Sequence, residues 1–221
     1  MGSIATVIYY TSNREDEVFE DKIRTRLLEK IGDLPLISVS HKPIDFGYNI
    51  CVGDIGLSNQ NVFRQLQLGA LHAETPFIIS AEADCLYPKE YFTFTPDDED
   101  QCYRYDPIWI LVNSRRFPNG VYIKKAYSEC GQMVGRKRYI KTINERLRPT
   151  NTWWVKDTEH GDGVPRMWRP WSWGWWYGDP IINIKTANGM HKRTGRMKDV
   201  EPEECLPYWG EASVLRGEMF A

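Results

Sequence analysis

The stretch TPFIISAEADCLYPKEYFTF drives an apolar run, Phe77 to Ile79, straight into two carboxylates, Glu82 and Asp84, one residue apart. Acids held that close repel unless a proton or a cation lies between them. A hard divalent cation resolves the conflict, and Mg2+ or Mn2+ commonly reaches protein through one or two carboxylates plus substrate phosphates. The plainer alternative is a solvated corner where a strand turns, because an acid-x-acid triplet is common.

A second concentration of chemistry is RMWRPWSWGWWYG, which sets Trp168, Trp171, Trp173, Trp175 and Trp176 among two arginines and two glycines. Seven of the nine tryptophans fall between residues 153 and 176, so aromatic surface is gathered in one segment. Flat aromatic faces stack on sugar rings or nucleobases, at about 1–3 kcal/mol per base. Indoles also close small cores, and here Trp173 and Trp175 would alternate with Trp176 on a twisted strand. Residues 111 to 148 carry ten Lys/Arg against Glu129 and Glu145, with Arg136 and Arg138 in the run RKRYIK. A solvated helix face accounts for such a run; beside an aromatic platform it also suits a polyanion.

The elements that must position these groups follow from periodicity. IATVIYYTSN reads as a strand, EDEVFEDKIRTRLLEKIG as an amphipathic helix stopped by Gly32, and LPLISVSHKP as a second strand. GLSNQNVFRQLQLGALHAE reads as a helix capped by Ser58 or Asn59, and PFIISAEAD as a third strand. Strand alternating with helix predicts an α/β fold, a mostly parallel sheet flanked by helices. In such sheets ligands bind beyond the carboxyl ends of the strands, where Thr11, Ser12, Asn13, Ser40, Lys42, Glu82 and Asp84 fall. After residue 95 the pattern loosens. PIWILVNSRRF and GVYIKKAYS read as strands and GRKRYIKTINERL as a basic helix. The Trp-rich segment from 149 to 180 reads as irregular, DPIINIKTANGMHKR as one more strand, and the tail from 197 as irregular. One domain over 1–221 is expected, with halves 4–95 and 96–221.

Composition excludes several classes. With 221 residues, a net charge of −2 and 42% hydrophobic content, the chain is an ordinary globular one, without a global pull toward polyanions. No apolar run approaches the roughly 20 residues that span a bilayer, and no signal peptide pattern opens the chain. Five cysteines without C-x-x-C spacing point to reduced thiols in a cytoplasmic setting, with neither a structural zinc nor a disulfide framework expected.

The polar loop after the first strand, and the acid-x-acid triplet about seventy residues on, resemble the GT-A glycosyltransferase domain. SAEADCLYPKEYFTFTP resembles the segment E-x-D-x-L-Y-P of a small glycosyltransferase group frequent in bacteria and phages, and YRYDPIWIL and INIKTANGMHKR resemble its later strands. The resemblance implies that Asp84 coordinates the metal and that Glu82 contacts the nucleotide ribose or a metal-bound water. It sets Thr11, Ser12 and Asn13 under the base and ribose. Relatives place a histidine directly after the last strand; this chain has Thr186 there, and His191 five residues later is the candidate third ligand. The implied activity moves a sugar from a UDP- or GDP-linked donor to an acceptor hydroxyl, with Mn2+ or Mg2+ and with Lys42, Lys192 or Arg193 countering charge on the departing diphosphate. Asp106, Glu159 and Asp162 are the candidates for the base that takes the acceptor proton. Two acceptors compete: a hydroxymethylated pyrimidine in double-stranded phage DNA, flipped onto the aromatic segment, and a surface glycan or lipid-linked sugar. The expected setting is the cytoplasm of a bacterium or a phage-infected host. A nucleotidyltransferase would carry a glycine-rich loop after the first strand, where this chain has YTSNRED. A binding module of the same fold would need no metal.

Overall fold

The computed structural model describes residues 2–113, 115–147, 173–189 and 201–221. Strands β1 (Ala5–Thr11), β2 (Leu36–Ser40), β3 (Tyr48–Cys51) and β4 (Phe77–Glu82) run parallel in the order β3-β2-β1-β4. β1 is buried along its whole length, as suits an unbroken apolar strand covered on both faces. The helices between them follow the sequence signals closely. In α1 (Glu17–Ile31) the Asp16 carboxylate caps the first turn by accepting from the Phe19 amide at 3.2 Å, and Gly32 at φ 58° ends the helix. In α2 (Asn59–His72) the Ser58 hydroxyl accepts from the Asn61 amide at 3.0 Å.

The second half adds antiparallel neighbours. After the two-residue β5 (Cys85–Leu86) and the single turn α3 (Lys89–Phe92) come β6 (Cys102–Val112), β7 (Val121–Lys125) and β8 (Gln132–Gly135). They are followed by α4 (Arg136–Arg146), β9 (Trp173–Ile184), the small hairpin β10 (Cys205–Leu206) and β11 (Gly210–Glu211), and α5 (Ala212–Phe220). The sheet continues β4-β8-β6-β9-β5, and β7 pairs with the distal part of β6. β8 is antiparallel to both β4 and β6, so β6 runs in the direction of β4, and β9 lies parallel to β6. Fold class is therefore as expected: an α/β chain with one large sheet and helices on both faces.

Two cores sit on those faces. Phe19, Ile23, Leu27 and Ile31 of α1 pack with Val7, Tyr9, Phe77 and Ile79, and with Leu215 and Met219 of α5. Phe63, Leu66 and Ala70 of α2 and Tyr139 and Ile143 of α4 pack with Ile8, Tyr10, Val39 and Ile78. Each Val, Leu, Ile, Phe or Met among them stabilises the fold by about 1.5–3 kcal/mol when fully buried.

The structure corrects the sequence reading in three places. β3 and β8 are four-residue strands too short to show a period, and pairing with their neighbours makes them strands. The tail holds α5, a helix without a side-chain cap that is fastened from outside. Phe220 stacks on Phe19 at 5.2 Å, Lys22 donates to the Glu218 and Ala221 carbonyls at 2.9 and 2.8 Å, and Arg26 meets Glu218 at 2.7 Å. Finally, residues 173–180 are strand and not irregular. Aromatic residues favour a pleated surface, and β9 passes from Tyr177 to Ile181 while β6 passes from Asp106 to Ile108, so Gly178, Asp179 and Pro180 bulge opposite one residue.

Trp176 holds this region to α3. It is 5% exposed, stacked between Tyr91 (5.4 Å, 19°) and Phe94 (4.8 Å, 12°), with Tyr105 edge-on at 5.3 Å. Replacing it by Ala is expected to cost about 3–5 kcal/mol of stability in urea unfolding, whereas Trp175→Ala, at a residue 42% exposed, should stay within about 1 kcal/mol.

Candidate functional site

The carboxyl ends of β1, β2 and β4 come level, with Thr11 opposite Ser40 and Tyr10 opposite Glu82. The first two loops are tied together. Thr11 donates its hydroxyl to Glu20 at 2.6 Å and accepts from the Asn13 amide at 2.8 Å. Asn13, in the left-handed region at φ 51°, accepts from the Lys42 amide at 2.8 Å. Ser40 donates to the Lys42 carbonyl at 2.6 Å and accepts from Asn49 at 2.8 Å. Thr11 and Ser40 are buried and their hydroxyls are used internally. Ser12 and Asn13 are half-buried and Lys42 is exposed, so these three offer surface to a ligand.

The acid pair occupies the turn between β4 and β5. Glu82 accepts a short hydrogen bond from the Tyr10 hydroxyl, and its amide donates to the Tyr87 hydroxyl at 2.8 Å. Asp84 meets the Lys185 ammonium at 4.0 Å, and its carbonyl accepts from the Ile184 amide at 2.7 Å. Burial and the neighbouring Asp84 push the Glu82 carboxyl above its usual range, while Lys125, Tyr10 and Lys185 pull it back. A third acid joins them. Glu15 accepts from the Thr186 hydroxyl at 2.7 Å; burial raises its carboxyl and Asp84 adds to the rise, while that hydrogen bond opposes it.

Cys85 and Cys130 complete the corner. The Cys85 thiol lies 3.3 Å from Asp84 Oδ1 and 3.6 Å from Glu82 Oε2, and the ligand atoms of Glu82, Cys85 and Cys130 all lie within 4.8 Å of one another. The corner thus holds two donor sets, hard oxygens at Asp84 and a softer group at Glu82, Cys85 and Cys130.

Asp106 stands in register with this corner. Ile79 and Tyr103 flank Met133 from either side, so Glu82 and Asp106, each three residues on, are level and share one sheet face. Two strand spacings separate them, about 10 Å. Asp106 Oδ1 meets Lys124 at 3.7 Å and pairs in register with Tyr177, which is 67% exposed. Trp173, Trp175 and Tyr177 alternate along the same face of β9, with Trp173 edge-on to Trp175 at 5.8 Å. Trp173 is itself packed on Tyr127 at 4.3 Å and lies under the buried Arg104 guanidinium at 5.0 Å. Of the expected aromatic platform, Trp175 is therefore open to solvent, Trp173 is half-covered, and Trp176 belongs to the core on the opposite face, both sides of its ring covered.

Arg136 is engaged at the start of α4, where its side chain donates to the Thr75 carbonyl at 3.1 Å. Arg138 is half-buried on the same helix. Glu159, Asp162, Trp168, Trp171, His191, Lys192 and Arg193 lie outside the described residues. The sequence reading passed over Tyr10, Glu15, Lys125, Lys185 and the two cysteines. Cys85 and Lys185 carried a signal, being adjacent to Asp84 and to the end of the last long strand; Lys125 reaches the corner only through the pairing of β7 with β6.

The raised Glu82 carboxyl has a defined sign. Its proton is bound more tightly in the folded chain, so the stability it contributes is present below the ordinary carboxylate range and is lost as pH rises through the folded value. Glu82→Gln keeps an acceptor for Tyr10 and carries no charge. With chelator present, the variant should melt above the parent at pH 7, and the gap should close toward pH 4; a gap independent of pH would exclude ionisation as its cause.

No family model matches the sequence, and no curated protein matches it. Among solved structures, the chain is similar to the bifunctional IspDF of Campylobacter jejuni, at 11% identity over 67% of this chain and 45% of that one, with a TM-score of 0.40. It therefore spans less than half the length of that protein. It is also similar to a glycosyltransferase involved in the glycosylation of the major capsid of PBCV-1, at 12% identity over 78% of this chain and 81% of that one, with a TM-score of 0.43.

Proposed function

We propose that this chain transfers a sugar from a UDP- or GDP-linked donor to an acceptor hydroxyl, with Mn2+ or Mg2+ held at Asp84. The observation that carries this reading is the meeting of like charges at the carboxyl end of β4, with Asp106 level on the same face. The donor set fits a hard cation. Asp84 is partly exposed, Glu82 lies beside it, and cations of this kind take one or two carboxylates plus phosphate oxygens. Bound there, the ion would neutralise charge on the departing diphosphate.

The chain's own residues do the remainder. Ser12 and Asn13 receive the base and ribose on loops held by Thr11 and Ser40. Glu82 turns its carboxylate toward a ribose hydroxyl, and Lys42 adds positive charge beside the diphosphate, with Lys192 and Arg193 as further candidates. His191 is the candidate additional ligand. Asp106 takes the acceptor proton, with Glu159 and Asp162 as the alternatives. Trp175 and Tyr177, exposed beside Asp106, stack the acceptor. A hydroxymethylated pyrimidine of duplex DNA suits that pairing of aromatic faces with the basic stretch of Arg136 and Arg138; a glycan acceptor would use the same faces without the salt dependence of a polyanion.

Two measurements test this. Nucleotide release from a panel of uridine and guanosine diphosphate sugars should require Mn2+ or Mg2+ and vanish with chelator, and Asp84→Asn should abolish it; folded protein that releases nucleotide from no donor ends the proposal. For the acceptor, products from hydroxymethylated and plain duplex DNA are weighed by mass spectrometry. The Trp175→Ala, Tyr177→Ala double variant should lose about 5- to 150-fold in transfer, the equivalent of one stacked base, while keeping donor hydrolysis. Transfer to a glycan and not to modified DNA would assign the glycan.

A further inference from the structure

Cys85 and Cys130 are 45 positions apart in the chain, and nothing in their spacing marks them as partners. The fold brings them together at Glu82, since Cys85 opens β5 and Cys130 sits in the turn that leads into β8. Both thiols are free and buried. Three observations make this cluster more than a chance meeting of side chains.

The first is its span. Cys85 Sγ and Glu82 Oε2 are 3.6 Å apart. An ion bound tetrahedrally at about 2.3 Å from sulfur and about 2.0–2.2 Å from oxygen holds those atoms roughly 3.5–3.7 Å apart; this pair already meets that span, and Cys130, within 4.8 Å of both, closes on the ion as it binds. The second is Asn183, only 1% exposed, whose Nδ2 donates to Cys85 Sγ at 3.3 Å while its Oδ1 has no hydrogen-bond partner among the described residues. A buried amide whose one end rests on the thiol, and whose other end is unsatisfied, marks an incomplete polar pocket. The third is charge. Two thiolates and a carboxylate carry three negative charges, which a divalent cation and the buried Lys125 ammonium, in electrostatic reach of Cys130, Glu82 and Cys85, would balance.

We propose that Glu82, Cys85 and Cys130 bind a thiophilic divalent cation of the zinc class. Thiolate donors select such ions over Mn2+ and Mg2+, so the site is distinct in chemistry from the hard-oxygen position at Asp84. Two thiol protons leave as the ion enters. Occupation relieves the repulsion between Glu82 and Asp84 and pins the β4–β5 turn to the loop before β8. Glu82 belongs to both readings, so the two are told apart at Asp84, which only the transferase reading uses as a ligand, and at Cys130, which only this site uses.

Co2+ added to the full chain is the probe, because thiolate-to-cobalt charge transfer absorbs in the near ultraviolet and tetrahedral cobalt in the visible. One equivalent should bring up both bands. Cys130→Ser should lose the charge-transfer intensity or most of it, and Asp84→Asn should keep it. Zn2+ should also raise the melting temperature of the parent and of Asp84→Asn. Should Cys130→Ser fail to fold, alkylation of the parent is read instead: Zn2+ should slow modification of Cys85 and Cys130 at least tenfold and leave the exposed Cys51 and Cys205 unaffected. Cobalt spectra without a thiolate band, or equal alkylation with and without Zn2+, would overturn the site. Loss of donor turnover in Asp84→Asn with the cobalt bands intact separates this site from the proposed catalytic one.

Discussion

The confrontation of Glu82 with Asp84 is the interaction around which the rest of the site is arranged. A central strand covered on both faces ends in two acids, and the surrounding structure answers each of them. Tyr10, next along the sheet on β1, donates to Glu82, and Lys185 at the end of β9 faces Asp84. Lys125, buried on β7, adds positive charge from a third strand. A charge so enclosed is tolerable only with partners, because the low-dielectric interior strengthens repulsion as much as attraction. Three strands from distant parts of the chain therefore converge on two side chains at the end of β4.

β6 makes that convergence possible. It is eleven residues long and changes partners midway, pairing first with β8 and then with β7, while β9 follows its other edge. The register shift at Asp106 marks the change, and at that level the open aromatic face of β9, Asp106 and Glu82 share one side of the sheet. Trp176, on the opposite side, is locked against Tyr91 and Phe94, so the same strand supplies both a core anchor and a solvent-facing surface. Alternation along a strand explains the division: odd-numbered aromatics point one way and Trp176 the other.

Much of the first half was legible in the sequence. The βαβ order, the Ser58 cap, the Gly32 stop and the placement of Glu82 and Asp84 at a carboxyl end all follow from local signals, periodicity and capping chemistry that act within a few residues. The second half was less so. β3 and β8 are too short to carry a period, and α5 lacks a side-chain cap; β3 is held by pairing with β2, β8 by pairing with β4 and β6, and α5 by α1 from the other end of the chain. The loop hydroxyls of Thr11 and Ser40 were legible as polar residues in the right place, but not as groups already committed to Glu20 and to Lys42 and Asn49.

By itself the sequence determined the α/β class, the helix ends and the position of the acid pair, because capping, turn chemistry and hydrophobic period are local. Which groups surround the pair was decided by tertiary structure alone. Cys130, Lys125, Lys185 and Asp106 reach the corner through strand pairings between segments tens of residues apart, and pairing register depends on packing across the whole sheet. No spacing along the chain encodes it.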